Sequence, residues 1–270
     1  LMAGMTVNVN AAKQKAKHVI LIGMDGWGAY SVPKADIPAI KSLMTNGCYT
    51  LHSRSVLPSS SAINWASMFM GVGTELHGYT TWGSKTPEIP SREVNERGIA
   101  PTIFSVLREQ RPKAEIGCLY EWPGIKYLVD TLAMSYQYQT PGYAKAPTAL
   151  CEAAEKYIIE KKPELLAICF EEPDHTGHTK GHDTPAYYQM LKELDGYVER
   201  ILQAIKKAGI WDDTIIIMTA DHGGIKTGHG GKTLREMEIP FIISGKNVRK
   251  GMEIKESMMQ YDTAADRKST

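Results

Sequence analysis

Three short apolar runs of this chain, each typical of a buried strand, are followed by an aspartate. The runs are residues 18–23, 165–170 and 214–219, and the aspartates are Asp25, Asp174 and Asp221. A parallel sheet places the carboxyl ends of its strands along one edge, and ligands bind outside that edge. We therefore expect the three carboxylates to converge on one site. For each aspartate taken alone, the alternative is a turn or a helix cap.

Further strand-like and helix-like stretches alternate along the chain. The strand-like ones are residues 49–55, 115–120 and 241–243, and the helical ones are 38–46, 62–70, 102–110, 147–161 and 184–208. This alternation predicts an α/β fold with a mostly parallel central sheet and helices on both faces. Residues 79–98 and 120–146 lack such patterns, and we interpret them as small insertions. We expect residues 18–270 to form a single domain.

Charge and cysteine usage exclude several kinds of partner and site. The chain has 31 Lys and Arg against 30 Asp and Glu, so no basic field predicts a stable nucleic-acid complex. No stretch is long and apolar enough to span a membrane. The cysteines form no C-x-x-C pair, which argues against a zinc–thiolate site. We expect buried free thiols, and a disulfide stays open if the protein is exported.

The sequence at each end of the chain has a recognisable pattern. Residues 1–17 begin with an apolar stretch, and a small residue precedes the first lysines, as at the end of a secretory signal. This predicts an exported protein, periplasmic or secreted, and a frayed tail is the alternative. Residues 261–265 resemble the start of a helix that does not continue, so we expect a truncated C-terminus. The sequence leaves the oligomeric state open.

Five of the eight histidines lie in two short segments that also contain aspartate and glycine. The segments are residues 173–182, Pro-Asp-His-Thr-Gly-His-Thr-Lys-Gly-His, and residues 221–231, which begin Asp-His-Gly-Gly. Histidine together with aspartate suits Zn²⁺ better than Ca²⁺ or Mg²⁺, which prefer oxygen ligands. The glycines allow sharp turns that point side chains at one centre. The alternative is a pair of polar loops with incidental histidines.

A serine-rich segment lies just before the predicted helix at 62–70. Residues 58–64 read Pro-Ser-Ser-Ser-Ala-Ile-Asn. Serine commonly caps helices, and this is the structural alternative to a catalytic role. Both roles are compatible, because a helix N-terminus stabilises phosphate and a bound metal ion can activate a serine hydroxyl there.

These motifs together resemble the alkaline phosphatase superfamily, and within it the nucleotide pyrophosphatase/phosphodiesterase branch. Residues 19–26 are similar to the first strand of the family and its metal-binding aspartate. The other matching segments are residues 58–64, Gly71 with His77 and Gly78, residues 173–178, and residues 221–230. The resemblance spans residues 19–245 in order. It implies a three-layer, alkaline-phosphatase-like catalytic domain.

The resemblance implies two divalent metal ions, with Zn²⁺ as the expected ion. The implied ligands of the first ion are Asp174, His178 and His229. The implied ligands of the second are Asp25, Asp221, His222 and the oxygen of Ser61. His175 and His182 fall on no ligand position, so we expect them beside the ligands or at the surface.

The resemblance also implies a covalent mechanism. Ser61 takes the position of the nucleophile, which predicts a phosphoseryl intermediate, and Asn64 is expected to be an amide that contacts the phosphate. The chain departs from the family in having Ser61 where many members have threonine, and Ile63 where proline is usual. Its short length predicts a small substrate-recognition insertion.

The expected substrate is a small phosphate ester with a phosphodiester or pyrophosphate bond, in particular a nucleotide. No arginine follows Ser61 to match the second charge of a monoester. Trp82, Tyr120 and Trp122 could stack on a nucleobase, or they could be ordinary packing aromatics.

Alternative functions are a phosphomonoesterase of the same superfamily and a non-catalytic, metal-stabilised binding domain. The second is disfavoured by the presence of both Ser61 and Asn64. A sulfatase fits poorly, because the Ser61 segment lacks the motif ending in arginine. The segment also does not resemble the nucleophile of cofactor-independent phosphoglycerate mutase.

Overall fold

A computed structural model describes residues 15–141 and 146–264 of the chain. The strands are β1 His18–Met24, β2 Gly47–Arg54, β3 Ile116–Tyr120, β4 Tyr136–Gln139, β5 Leu165–Phe170, β6 Thr214–Thr219, β7 Glu238–Gly245 and β8 Met252–Glu253. The helices are α1 Pro38–Thr45, α2 Ser61–Met70, α3 Thr74–His77, α4 Ile103–Gln110, α5 Ala146–Lys161, α6 Asp174–Lys180, α7 Pro185–Lys207 and α8 Leu234–Met237.

These strands form one sheet with the order β4-β3-β5-β1-β6-β7-β2-β8. The five strands from β4 to β6 are parallel, whereas β7 is antiparallel to both β6 and β2. The predicted mostly parallel α/β sheet is therefore confirmed. The antiparallel strand β7 was not predicted as such, because an apolar run does not reveal its direction.

Alternate side chains of the central strand β1 enter two separate cores. Ile20 and Ile22 pack into a core that contains buried residues of α1, α5 and α7. Leu21 packs into a second core with Trp65 and Phe69 of α2 and with α4. Because strand side chains alternate between the two faces, this division shows that helices cover the sheet on both sides.

The two segments interpreted as insertions differ from each other. The first, residues 79–98, contains no helix or strand. The second, residues 120–146, contains the edge strand β4 and two short 3₁₀ turns, and its residues 142–145 lie outside the described part. Strand β4 escaped prediction because its tyrosine–glutamine alternation is short and polar.

Several sequence predictions fall partly or wholly outside the described residues. These are the signal remnant or tail over residues 1–17, of which 15–17 are described, and the end of the segment 261–265. Residues 260–263 form a single 3₁₀ turn.

All four cysteines are free, and Cys118, Cys151 and Cys169 are buried. Among the described helices, none has the length and apolarity that crossing a membrane requires.

Gly23 in β1 lets a helix residue lie directly against the sheet. A Cβ atom at Gly23 would lie 2.3 and 2.5 Å from ring carbons of Trp65, which is only 1% exposed. The indole Nε1–H of Trp65 donates to Asp25 Oδ2 at 3.2 Å. The missing side chain of Gly23 thus allows Trp65 to reach and orient the aspartate at the end of β1.

We expect Gly23→Ala to lower the free energy of unfolding by about 1–3 kcal/mol, because the added methyl overpacks the core and displaces Trp65. The matched control is Gly196→Ala in α7, where a Cβ atom meets no atom within 4 Å. That change should raise stability by about 0.5–1 kcal/mol, since alanine favours the helix. Urea denaturation measures both, and a neutral Gly23→Ala would contradict the packing argument.

Candidate active site

The three predicted aspartates follow three neighbouring strands. Strand β1 lies between β5 and β6, and Asp25, Asp174 and Asp221 come after β1, β5 and β6 respectively. Backbone bonds join the loops, because the Asp174 amide donates to the Asp25 carbonyl at 3.0 Å. The Gly26 amide donates to Asp221 Oδ1 at 3.1 Å. The carboxyl edge of the sheet therefore gathers all three carboxylates.

Two groups of side chains at this edge have the geometry of metal sites. Within each group, one ligand atom of every residue lies within 4.8 Å of the others. The first group is Asp174, His178 and His229, and the second group is Asp25, Asp221 and His222. These are the ligand sets that the family resemblance implied.

The second group is buried and lies beside the predicted nucleophile. His222 Nε2 lies 3.3 Å from Asp25 Oδ1 and 3.2 Å from Asp221 Oδ2. Ser61 is the first residue of α2, and its Oγ lies 3.2 Å from the same His222 nitrogen. Ser59 ties the entry to α2 down, because its hydroxyl donates to the Gly231 carbonyl at 2.6 Å.

The first group is more open. Asp174 and His178 stand one turn apart on α6, and His178 Nε2 lies 3.1 Å from Asp174 Oδ2. His229 reaches the same oxygen from a loop, at 3.8 Å. One carboxylate oxygen and two imidazole nitrogens thus converge on one point, as in a zinc site with room for a further ligand.

Each histidine of the two groups directs the same nitrogen toward its site. The Nδ1 atoms of His178, His222 and His229 lie 2.7–3.0 Å from the carbonyl oxygens of Thr227, Gly223 and Ser59 respectively. A carbonyl only accepts, so Nδ1 carries the proton. In the neutral form, each ring presents the Nε2 lone pair to the carboxylates, which is how histidine ligates metals. The hydrogen bond with Asp174 raises the pKa of His178 to about 9.

Several buried oxygens of these groups have no hydrogen-bond donor. They are Asp25 Oδ1, Asp174 Oδ1 and Asp221 Oδ2, in contrast to most buried polar atoms of proteins. Carboxylate oxygens and imidazole lone pairs that face each other in a buried site repel unless a cation lies between them. The residues present therefore fit two divalent cations.

The pKa values of the second group and of the neighbouring His229 reflect the same repulsion and burial. Burial raises the pKa of Asp25 well above its usual value, and the carboxylates of Asp221 and Asp174 raise it further. Burial and Asp174 raise the pKa of Asp221 to about 7. Burial lowers the pKa of His222, and burial together with His222 lowers that of His229 to about 4. A divalent cation would reverse the carboxylate shifts.

Asn64 does not occupy the phosphate-contacting position that the sequence predicted. It is fully buried, and its Oδ1 accepts from the Val56 amide at 2.7 Å. Its Nδ2 donates to the carbonyls of Val56, Pro58 and Ser60 at 3.1–3.2 Å. All hydrogen-bonding atoms of the Asn64 side chain are used by the backbone of residues 56–60, which precede α2. The side chain therefore holds that loop in place.

The backbone amides at the N-terminus of α2 are also less available for phosphate than expected. The Ala62 amide donates to the Trp82 carbonyl at 3.2 Å, which brings the 79–98 segment over the start of α2. One of the amides expected to bind phosphate is therefore already engaged.

A cavity of about 530 Å³ leads to the two groups. It is lined by Asp25, Ser60, Ser61, Trp82, Trp122, Glu171, Asp174, His178 and His229. Trp82 is 65% exposed at its rim, whereas Tyr120 is buried in the second core and is a packing aromatic. Glu171 was missed in the sequence, although its place directly after β5 and before Asp174 is a usable signal.

The two remaining histidines of the first histidine-rich segment, His175 and His182, differ in their exposure. His175 is exposed on α6, whereas the side chain of His182 is fully buried, with its Nε2 3.4 Å from Asp174 Oδ1. His182 thus belongs beside the ligands and not at the surface.

Comparison with known proteins places this geometry in a family. The model of the type I phosphodiesterase / nucleotide pyrophosphatase family matches residues 19–248, which confirms the resemblance found in the sequence. The chain is similar to the mouse (Mus musculus) bis(5′-adenosyl)-triphosphatase enpp4, with 24% identity over 226 residues. The match covers 79% of this chain and 48% of that protein, so the chain spans about half the length of this relative.

Solved structures share the fold at low identity. Murine ectonucleotide pyrophosphatase/phosphodiesterase 5, in an inactive form in complex with AMP, aligns with a TM-score of 0.72 and 17% identity over 93% of both chains. A 2-O GAG sulfatase aligns with a TM-score of 0.72 and 14% identity over 93% of this chain and 71% of that chain. These likenesses confirm the predicted three-layer fold.

Glu121 gives the edge of the site a pH-dependent stability. It follows β3, is 5% exposed, and accepts a hydrogen bond from the Glu171 amide at 2.6 Å. Burial raises the pKa of Glu121 from 4.5 to about 8. The folded chain therefore retains this proton where the unfolded chain has lost it, so the contribution of Glu121 to stability falls as pH rises between these values.

We expect Glu121→Gln, which stays neutral, to become increasingly stable relative to the wild type from pH 5 to pH 8. The difference should grow by at most about 1.4 kcal/mol per pH unit. Thermal denaturation in chelator at several pH values measures it, with Glu109→Gln at an exposed position as the control for losing one carboxylate. A pH-independent difference at Glu121 would contradict the raised pKa.

Proposed function

The chain belongs to the type I phosphodiesterase / nucleotide pyrophosphatase family, and we propose that it is a metal-dependent hydrolase of phosphate esters. The proposed substrates are nucleotide-type compounds with a phosphodiester or pyrophosphate bond. One observation carries the proposal: two groups of Asp and His converge at the sheet edge, with Ser61 Oγ 3.2 Å from His222 Nε2.

The proposed ligand assignment follows the two groups. Asp174, His178 and His229 would hold one divalent ion, and their mixture of nitrogen and oxygen donors suits Zn²⁺. Asp25, Asp221, His222 and Ser61 Oγ would hold the other. When bound, the two ions supply Lewis acidity, which favours the Ser61 alkoxide and neutralises charge on the phosphoryl and leaving oxygens.

The residues of the chain then account for the remaining steps. Ser61 Oγ gives its proton to solvent and attacks phosphorus in line, while the bond from phosphorus to the leaving oxygen breaks and the leaving oxygen takes up a proton from solvent. This forms a phosphoseryl intermediate. A water molecule then attacks the same phosphorus, the bond from phosphorus to Ser61 Oγ breaks, and Ser61 regains the proton that the water loses. Asn64 and Trp65 act indirectly, because they fix the loop before α2 and the Asp25 carboxylate.

The lining of the cavity supports a diester over a monoester. No lysine or arginine is among its described lining residues, and Glu171 adds a negative charge. A monoester would bring a second negative charge without a matching cation from the chain. Trp82 and Trp122 line the same cavity and offer apolar faces for a nucleobase. The naming of the relatives as phosphodiesterases and nucleotide pyrophosphatases points to the same substrate class.

Replacement of the nucleophile tests the covalent route. We expect Ser61→Ala to lower kcat at least about 10³-fold, because no other oxygen occupies its position. Metal analysis should still find two ions per chain in the variant, and Ser61→Thr, which keeps the hydroxyl, should retain turnover. Undiminished activity of Ser61→Ala would exclude the covalent route, and a wild-type protein purified in zinc-containing buffer without bound metal would exclude the metal sites.

A substrate panel tests the bond that is cleaved. We expect higher kcat/KM for an aryl nucleotide diester, such as p-nitrophenyl thymidine 5′-phosphate, than for p-nitrophenyl phosphate, because the cavity lacks a cation for the second charge. Bis(p-nitrophenyl) phosphate separates the contribution of the nucleoside from that of the diester. Faster hydrolysis of the monoester would favour a phosphomonoesterase of the same superfamily.

A further inference from the structure

His182 lies against the oxygen of Asp174 that the first metal group does not use. Asp174 Oδ2 faces His178 Nε2 at 3.1 Å and His229 Nε2 at 3.8 Å. Asp174 Oδ1 faces His182 Nε2 at 3.4 Å, and both of these atoms are buried without another hydrogen-bond partner among the described residues. The two oxygens of this carboxylate are therefore divided between two different sets of histidines.

The ring of His182 is held in a narrow slot. A Cβ atom on Gly177 would lie 2.3 Å from the ring, and one on Gly224 would lie 2.2 Å from it. The Lys226 carbonyl accepts from the His182 amide at 2.6 Å and lies 3.1 Å from its Nδ1. Since Gly177 lies in α6 and Gly224 in the loop after β6, the ring fits between these two ligand-bearing segments and cannot turn away from Asp174.

The next residue anchors this arrangement from outside. Asp183 lies in the left-handed region, with φ of 60°, and its carboxylate pairs with Lys34 at 3.0 Å. The same carboxylate accepts hydrogen bonds from Arg235 and from the Tyr188 hydroxyl. Three separate elements thus fix the turn that directs His182 inward.

We propose that His182 is a positioning residue for the first metal site, an inference that rests on the proposed metal dependence. His182 Nε2 is placed to supply the hydrogen bond that Asp174 Oδ1 otherwise lacks, which would fix the plane of the carboxylate so that Oδ2 is presented to the ion shared with His178 and His229. Its Nδ1 lies 3.1 Å from the Lys226 carbonyl, and this contact holds the other side of the ring. His182 is not a ligand of that ion, because it falls outside the group of converging ligand atoms.

Hydrogen bonds that orient metal ligands commonly contribute 10–100-fold to metal affinity. We therefore expect His182→Phe, which fills the slot but cannot donate, to weaken zinc binding at one of the two sites by about this factor. His182→Gln keeps a donor and should recover part of the loss. His175→Phe is the matched control, because His175 is an exposed histidine next to Asp174 on α6, and the zinc affinities of this variant should stay close to those of the wild type.

The measurement is competition for Zn²⁺ with a chromophoric chelator, together with the Tm of each chelator-stripped protein. A selective loss at one site in His182→Phe, partial recovery in His182→Gln and unchanged Tm values support the proposal. Wild-type affinity at both sites in His182→Phe overturns it. Equal losses in both variants with a lowered Tm assign His182 a structural role and also overturn it. A wild-type chain that binds no zinc would instead overturn the proposed function itself.

Discussion

The mutual repulsion of three buried carboxylates is the constraint on which this structure depends. Asp25, Asp174 and Asp221 are each at most 7% exposed, and they follow three adjacent strands. Burial of such a cluster costs free energy that the apolar cores must offset, unless cations neutralise it. Under the proposed metal dependence, both the stability and the chemistry of this fold are linked to divalent ions.

The protein meets this constraint with backbone groups more than with side chains. Carbonyl oxygens orient the rings of the ligand histidines, and the amides of Gly26 and His222 both donate to Asp221 Oδ1. Main-chain groups are set by the path of the loops, so the site is only as rigid as those loops. Side chains outside the two metal groups therefore hold the loops in place. The Ser59 hydroxyl donates to the loop at Gly231, and the Asp183 carboxylate accepts from Arg235 of α8.

The sequence predicted the convergence of the ligands because that convergence follows from topology alone. An aspartate after a parallel strand has one edge to occupy, and the Asp174 and His178 spacing places both on one helix face. Side-chain direction was not predictable in the same way. Asn64 turns back to Val56, and His182 turns in toward Asp174, because of loop paths that no local pattern encodes. The role expected of Asn64 was therefore wrong, while the ligand roles stay predictions.

The fold does not decide which bond is broken, since a sulfatase aligns with this chain as well as a nucleotide-binding relative does. The distinction lies in a few residues around a shared pair of metal groups. Here Ser61 stands at the proposed nucleophile position, and the cavity is lined by Trp82, Trp122 and Glu171, with no lysine or arginine among its described lining residues. In the proposed mechanism, the metal groups account for attack at phosphorus, and the residues that line the cavity account for the choice of substrate.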